Sequence, residues 1–172
     1  GKPRGGNALR ISYGFLEDGE ISIHDDRWLT YPWGVNGGEP GKRSRKIMVR
    51  ADGSEELMDS KRDRIKVRAG DMLHFDTWGG GGWGKPYERE AEKVQLDVER
   101  GLVSIEGAQR YGVVLNDDWS IDAAATDKLR QERAASAAGN TEVFNRGGTI
   151  EELKARCEEE TGLLPPEQPT FQ

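Results

Sequence analysis

Alternation of apolar and polar positions dominates the first 80 residues, and runs of period two read as half-buried strands. Ala8–Leu16 and Glu20–Trp28 are two such runs, joined at Asp18-Gly19, a dipeptide that tolerates the positive φ of a tight hairpin turn. Lys46–Arg50 and Glu55–Met58 flank Ala51-Asp52-Gly53-Ser54, a second hairpin signal. Arg64–Arg68 and Met72–Trp78 flank Ala69-Gly70-Asp71, a third. Ile65 and Val67 share one face of their strand, with Lys66 and Arg68 on the other. Between the first two pairs, Tyr31–Gly41 is rich in Pro and Gly and reads as a loop.

After Trp78 the period changes. Gly79–Gly82 lead through Trp83-Gly84-Lys85 to Pro86, which suits a first helical turn. Tyr87–Arg100 then reads as a helix ending at Gly101, although Val94, Leu96 and Val98 interrupt the helical spacing. Ser104 caps a short helix through Tyr111 with Gly112 as its stop, and Val113–Leu115 fits a brief strand. Asp122–Ala138 is Ala-rich and helical, with Asp127 and Arg130 spaced for an i,i+3 pair. Thr149-Ile150-Glu151-Glu152 is a capping box opening a helix that ends near Gly162, ahead of Pro165-Pro166. These elements predict an α+β fold, an antiparallel β-hairpin-rich N-terminal half followed by several short helices. By segment, residues 1–78 are β-rich, 79–86 form a Gly-rich loop and 87–172 are helical, with no internal repeat.

Composition narrows the function classes. Of 172 residues, 34% are hydrophobic and 33% charged, against about 45–50% apolar (Gly included) and about 25% charged in average soluble domains. The chain is polar, but five Trp, four Phe and four Tyr argue for a packed fold. The 23 Gly are about twice the usual ~7% share and favour turns and close backbone approaches. No apolar run approaches the roughly 20 residues of a membrane span, so no membrane partner is expected. A single cysteine, Cys157, excludes an internal disulfide framework and points to the cytoplasm; Cys157 and the two histidines, His24 and His74, leave little material for a metal centre. Residues 1–70 carry 14 Lys/Arg against 11 Asp/Glu and the remainder 11 against 20, a split of +3 and −9 within the net −6. The basic residues are interleaved with acids, so no nucleic-acid surface is expected. Gly1–Gly6 reads as mid-protein loop, and the expectation is a fragment or a processed subunit.

The stretch from Gly70-Asp71 through Thr77-Trp78-Gly79-Gly80-Gly81-Gly82-Trp83-Gly84-Lys85-Pro86 is the most specific in the chain, with Gly79, Gly80, Gly81, Gly82, Trp83 and Gly84 as its candidate substrate- or anion-facing loop. A Gly-rich turn between strand and helix brings backbone N–H groups and a helix N-terminus to one place, which suits an anion or a developing oxyanion. Two Trp flanking the glycines equally fit a packed loop. It is neither a Walker motif nor a dinucleotide fingerprint. Elsewhere, Asp25-Asp26 is either an acid/base pair or two carboxylates on opposite strand faces. Arg27 can clamp a carboxylate or phosphate in bidentate fashion, or pair structurally with an Asp. Lys42–Lys46 reads as a cluster for phosphate or nucleic acid, or as a solvated charge run. Trp33, in Pro-Trp-Gly, fits a pocket wall or a buried loop anchor. Cys157 has no His near it in sequence, as a nucleophile would need.

Gly79–Pro86, Glu88-Arg89, Val94, Asp97-Val98, Gly101-Leu102-Val103-Ser104, Ala108 and Tyr111-Gly112-Val113-Val114-Leu115 together resemble the C-terminal part of the hydantoinase B/oxoprolinase family. Phe15-Leu16-Glu17-Asp18, Ser22, Asp26-Arg27 and Pro32-Trp33-Gly34 with Gly37-Gly38-Glu39-Pro40-Gly41 agree, so the resemblance runs from about Gly5 to Leu164. Trp83 stands where the family often has Tyr, and Lys85 where it usually has Asp. The resemblance implies part of an ATP-dependent hydrolase of cyclic amides such as hydantoins or 5-oxoproline, working with a hydantoinase A-type ATP-binding subunit and inactive alone. It also implies that ATP with Mg, and a divalent metal such as Zn or Mn, belong to the rest of the complex, with none held in this chain. Two alternatives stay open, a portion of an ATP-dependent ketone carboxylase of the acetone type and a non-catalytic assembly module.

Overall fold

The computed structural model describes residues 1–139 and 142–167. Its strands are β1 (Arg10–Gly14), β2 (Gly19–His24), β3 (Gly34–Val35), β4 (Arg45–Val49), β5 (Glu55–Met58), β6 (Lys61–Val67), β7 (Met72–Asp76) and β8 (Phe144–Asn145). The helices are α1 (Ala91–Glu99), α2 (Ile105–Ala108), α3 (Ala123–Ser136) and α4 (Ile150–Thr161), with 3-10 turns at Pro86–Glu88 and Gln109–Tyr111. Antiparallel sheets in the N-terminal half are followed by helices, an α+β fold.

Pairing is less local than the turn signals imply. β4 and β5 form the expected hairpin, with Val49 facing Glu55. The other two expected hairpins do not form. β1 pairs with β7 and β2 with β6, and the two ladders share one register from Arg10 facing Asp76 through Gly14 facing Met72 and Gly19 facing Val67 to Ile21 facing Ile65, after which an irregularity shifts it by one residue. Ala8–His24 and Lys61–Asp76 are therefore one long antiparallel ribbon, bent at a corner. Asp18-Gly19 and Ala69-Gly70-Asp71 lie opposite each other at that corner instead of at hairpin tips. The corner is pinned by hydrogen bonds: Phe15 N–H donates to Asp71 O, Gly70 N–H to Phe15 O, and Ala69 N–H to the Asp18 carboxylate. Asp71, buried there, accepts from the N–H groups of Arg68 and Ala51 and from Arg50 Nη1 at 2.9–3.0 Å. The bend gives a four-stranded sheet, β1-β7-β4-β5, and a two-stranded one, β2-β6.

The chain divides into two compact units, each discontinuous in sequence. The sheet unit holds Ala8–Pro32, Lys42–Gly79 and the chain from Arg146 onward. Its core is Ile23, Met48, Met58, Ile65, Val67 and Leu73, side chains of both sheets. α4 belongs to it through buried Leu153 and Cys157. The predicted capping box at Thr149 is present, and Gly162, at φ +68°, ends the helix.

The second unit holds Gly1–Asn7, Trp33–Gly41 and Gly80–Asn145, and we call it the glycine unit. Its core is Val94, Val98, Ala108 and Val113. The helix expected over Tyr87–Arg100 is interrupted, because Arg89 and Glu90 are extended and α1 starts only at Ala91. Ser104 caps α2 by accepting from Gly107 N–H, and Gly112 stops the following 3-10 turn at φ +66°. Val113–Leu115 forms only a bridge, Leu115 to Ile121. Arg130 does not pair with Asp127; its Nη2 donates to the Arg89 carbonyl at 2.6 Å.

Candidate functional site

In the glycine unit, three glycine-bearing segments pack backbone against backbone. Gly80 N–H donates to Gly6 O, Gly82 N–H to Glu39 O and Gly84 N–H to Val35 O, while Val35 N–H donates to Gly82 O, all at 2.8–2.9 Å. A parallel bridge joins Val35 to Trp83. The spacing leaves no room for side chains. A Cβ on Gly38 would meet Gly82 O at 1.9 Å, one on Gly82 would meet Gly1 N at 2.3 Å, and one on Gly5 would meet Gly80 O at 2.2 Å. Gly79–Gly82 have no positive φ; of the run only Gly84 does, at +69°. These glycines are required for close approach, and an open turn presenting its amides to an anion is corrected at Gly80, Gly82 and Gly84, whose N–H groups are already donated to carbonyls.

Around this layer lie exposed aromatic rings. Trp33 is 44% exposed and meets Phe144 edge to face, ring centroids 5.7 Å apart. Trp83 is 52% exposed and, with Lys2, Pro3, Arg89, Glu90 and Lys93, lines a cleft of about 450 Å³. Arg89, on its wall, belongs to an ion cluster that the sequence did not disclose as a cluster. Asp97, on α1, accepts a hydrogen bond from Arg89 Nη2 at 2.8 Å and lies in ion-pair range of Arg4 Nε at 3.4 Å, while Arg89 Nη1 donates to Lys2 O. The Nε atoms of Arg4 and Arg89 are buried without a hydrogen-bond partner. Arg89 leaves the helical path to make these contacts, which explains the break before α1. Nearby, burial pushes the Tyr111 phenol above its ordinary pKa, a shift the Arg4 and Arg89 charges oppose. The sequence carried two signals: Arg89 and Asp97 are among the residues of the family resemblance, and Asp97 falls three positions after Val94, on the helix face that also buries Val98.

The remaining candidates fall in the sheet unit. Arg27 enters through its backbone, its N–H donating to Asp25 Oδ1 at 3.2 Å and its carbonyl accepting from Ser44 N–H at 3.2 Å. The adjacent carboxylates separate: Asp25 is buried, whereas Asp26 is exposed and held below the usual carboxylate range by Lys61 at 3.0 Å. Lys42–Lys46 is not a uniformly solvated run. Lys46 is 1% exposed, its Nζ 2.5 Å from Asp25 Oδ2 and 5.1 Å from the centre of the Trp28 ring; Ser44 Oγ donates to the same carboxylate oxygen. Burial pulls the Lys46 ammonium below its ordinary pKa, against the opposing pull of Asp25. Arg43 lies against the Trp28 and Tyr31 rings and bonds Tyr31 Oη and Glu160. His24 meets Asp63 at 3.2 Å, His74 meets Ser12 at 2.8 Å, and Cys157 is fully buried. A solvent-borne substrate cannot reach the Ser44–Asp25–Lys46 cluster as it stands.

The model of the hydantoinase B/oxoprolinase family matches residues 1–86, half of the chain. This chain belongs to the hydantoinase B/oxoprolinase family. It is 34% identical over 134 residues to the B-type subunit of a putative D-/L-hydantoinase from a Pseudomonas species, covering 76% of this chain and 22% of that one. To the beta chain of the caprolactamase of Pseudomonas jessenii it is 51% identical over 90 residues, 52% of this chain and 15% of that one. The crystal structure of the ATP-dependent caprolactamase of the same organism superposes with a TM-score of 0.60 at 28% identity, covering 76% of this chain and 24% of that one. The chain spans less than a quarter of the length of the curated relatives it matches.

The part of this hydantoinase B/oxoprolinase chain that the family model matches contains all three segments of the glycine layer, Gly1–Gly6, Gly34–Gly38 and Gly80–Gly84. Among the described residues no three of His, Cys, Asp and Glu converge as a ligand set. Among the same residues, no helix is long and apolar enough to cross a membrane.

Proposed function

We propose that this chain is a portion of a B-type subunit in an ATP-dependent cyclic-amide hydrolase, acting on hydantoin, 5-oxoproline or lactam rings together with a hydantoinase A-type ATP-binding subunit. The 51% identity over 90 residues to the caprolactamase beta chain carries this reading, and the fold match to the ATP-dependent caprolactamase supports it. On this reading the glycine layer is a rigid platform. It holds Trp83 at a fixed position on the Arg89 cleft, and the Trp33 backbone against Gly81, because glycines have no rotamers to adjust. ATP with Mg, and any divalent metal such as Zn or Mn, are held by the rest of the assembly. The whole works in the cytoplasm, where Cys157 stays reduced.

The test is a substrate panel on the native assembly purified with its partner subunit. Hydantoin, 5-oxoproline and caprolactam are each incubated with and without ATP and Mg, and the ring-opened acid is measured. ATP-dependent opening of at least one ring is expected. ATP use with a ketone and bicarbonate but with none of the rings would replace this reading by a carboxylase.

A further inference from the structure

We infer that the outer edge of β1 is completed by a further β-strand, an extended segment of the same B-type subunit lying outside these 172 residues, with apolar side chains at alternate positions. This rests on the reading of the chain as part of a longer subunit. β1 is the terminal strand of the four-stranded sheet. Ladder bonds at Leu9 and Phe15 face β7, with Thr77 N–H donating to Leu9 O and Phe15 N–H to Asp71 O. Antiparallel alternation then turns the backbone N–H and C=O of Arg10, Ser12 and Gly14 toward the open edge.

The side chains along that edge are those of an interior strand. Directly opposed residues share a face, so Tyr13, Leu73 and Met48 form one row across the sheet. Exposure along the row falls from 49% through 7% to 0%. Ile11 heads the next row, followed by Phe75, Lys46 and Met58. The core face thus continues past its cover onto β1, and Leu9 and Leu16 extend the apolar edge at either end. Devices that normally blunt an edge are missing from β1: it has no Pro, no Lys and no bulge, and its one charge, Arg10, is folded onto Asp76 at 2.5–2.6 Å. Such an edge templates strand addition. Relatives more than four times as long as the matched region have ample chain to supply the strand.

Residue-resolved hydrogen exchange on the native assembly tests this. Uniform slow exchange from Arg10 through Gly14 is expected. Fast exchange at Arg10, Ser12 and Gly14 alternating with slow exchange at Ile11 and Tyr13 would show an open edge and overturn the proposal. Cross-linking from Ser12→Cys, read by mass spectrometry, identifies the occupant. A link to a peptide of the same polypeptide outside residues 1–172 is expected. A link to position 12 of a second copy, or to the partner subunit, overturns the assignment, as does a native polypeptide of only 172 residues. Failure of the cyclic-amide assay leaves the exchange pattern unaffected, so the two readings fail separately.

Discussion

A Cβ placed on Gly81 would lie 1.8 Å from the carbonyl oxygen of Trp33. The obstacle is backbone, which cannot swing aside as a side-chain tip would, so Gly81→Ala must push two segments of the glycine layer apart. Overpacking of this kind costs about 3 kcal/mol or more, the upper end of its range. Gly6→Ala, whose Cβ would meet nothing within 4 Å, is the matched control and should stay within about 0.5 kcal/mol of the parent. Chemical denaturation of both variants beside the parent measures the difference.

Asp97→Ala should destabilise by about 1–3 kcal/mol, because it leaves the partly buried guanidiniums of Arg4 and Arg89 without their shared counter-ion. Asp97→Leu combined with Arg4→Met and Arg89→Met should recover much of that loss, since an apolar trio leaves neither guanidinium unpaired. Thermal or urea unfolding of the single and triple variants checks both statements.

The contrast between these two sites shows what the sequence made legible. Local signals worked where the controlling contacts are local: the Thr149 capping box, the Ser104 cap, the stops at Gly112 and Gly162 and the β4–β5 hairpin all form. Strand pairing failed at Asp18-Gly19 and Ala69-Gly70-Asp71, because a turn dipeptide fits a ribbon corner as well as a hairpin tip, and partners some 50 residues apart leave no local mark. The Gly-rich run was legible as special but not in its role. Close approach and positive φ both select Gly, and the Cβ positions of Gly81 against Trp33 and of Gly82 against Gly1, with no positive φ at either, tell them apart. Lys46 looked like one of a charged run; its burial follows from register, which sets it beside Phe75 and Met58.

Asp71 contributes to the acid limb of stability. Arg50, assisted by the N–H groups of Arg68 and Ala51, holds its carboxyl below the ordinary carboxylate range. The folded state therefore gains stability above the ordinary Asp value of about 3.9, and that gain is lost as pH falls through the depressed folded value. Asp71→Asn should be less stable than the parent at pH 7, with the gap closing on acidification below about pH 4. Unfolding curves across that range measure it; a gap independent of pH would contradict the assignment.

Lys46 acts at the other end. Its folded pKa is lowered by burial, so the unfolded chain binds the proton more tightly, and stability rises as pH climbs from the folded value toward the ordinary lysine value near 10.4. Replacing Asp25 and Lys46 together by Leu and Met should remove that rise while keeping the core filled. Stability measured from pH 7 to 10 in both proteins gives the comparison, and an unchanged slope would rule out Lys46 as its source.

Service in an ATP-driven opening of a cyclic amide requires that nucleotide and ring be consumed in step. The ratio of ADP formed to ring-opened acid formed by the native assembly, measured in one reaction mixture, tests this without intermediaries. The two products should appear together, with neither formed when ATP or the cyclic amide is withheld. Ring opening at full rate without ATP, or ADP formation indifferent to the cyclic amide, would contradict it.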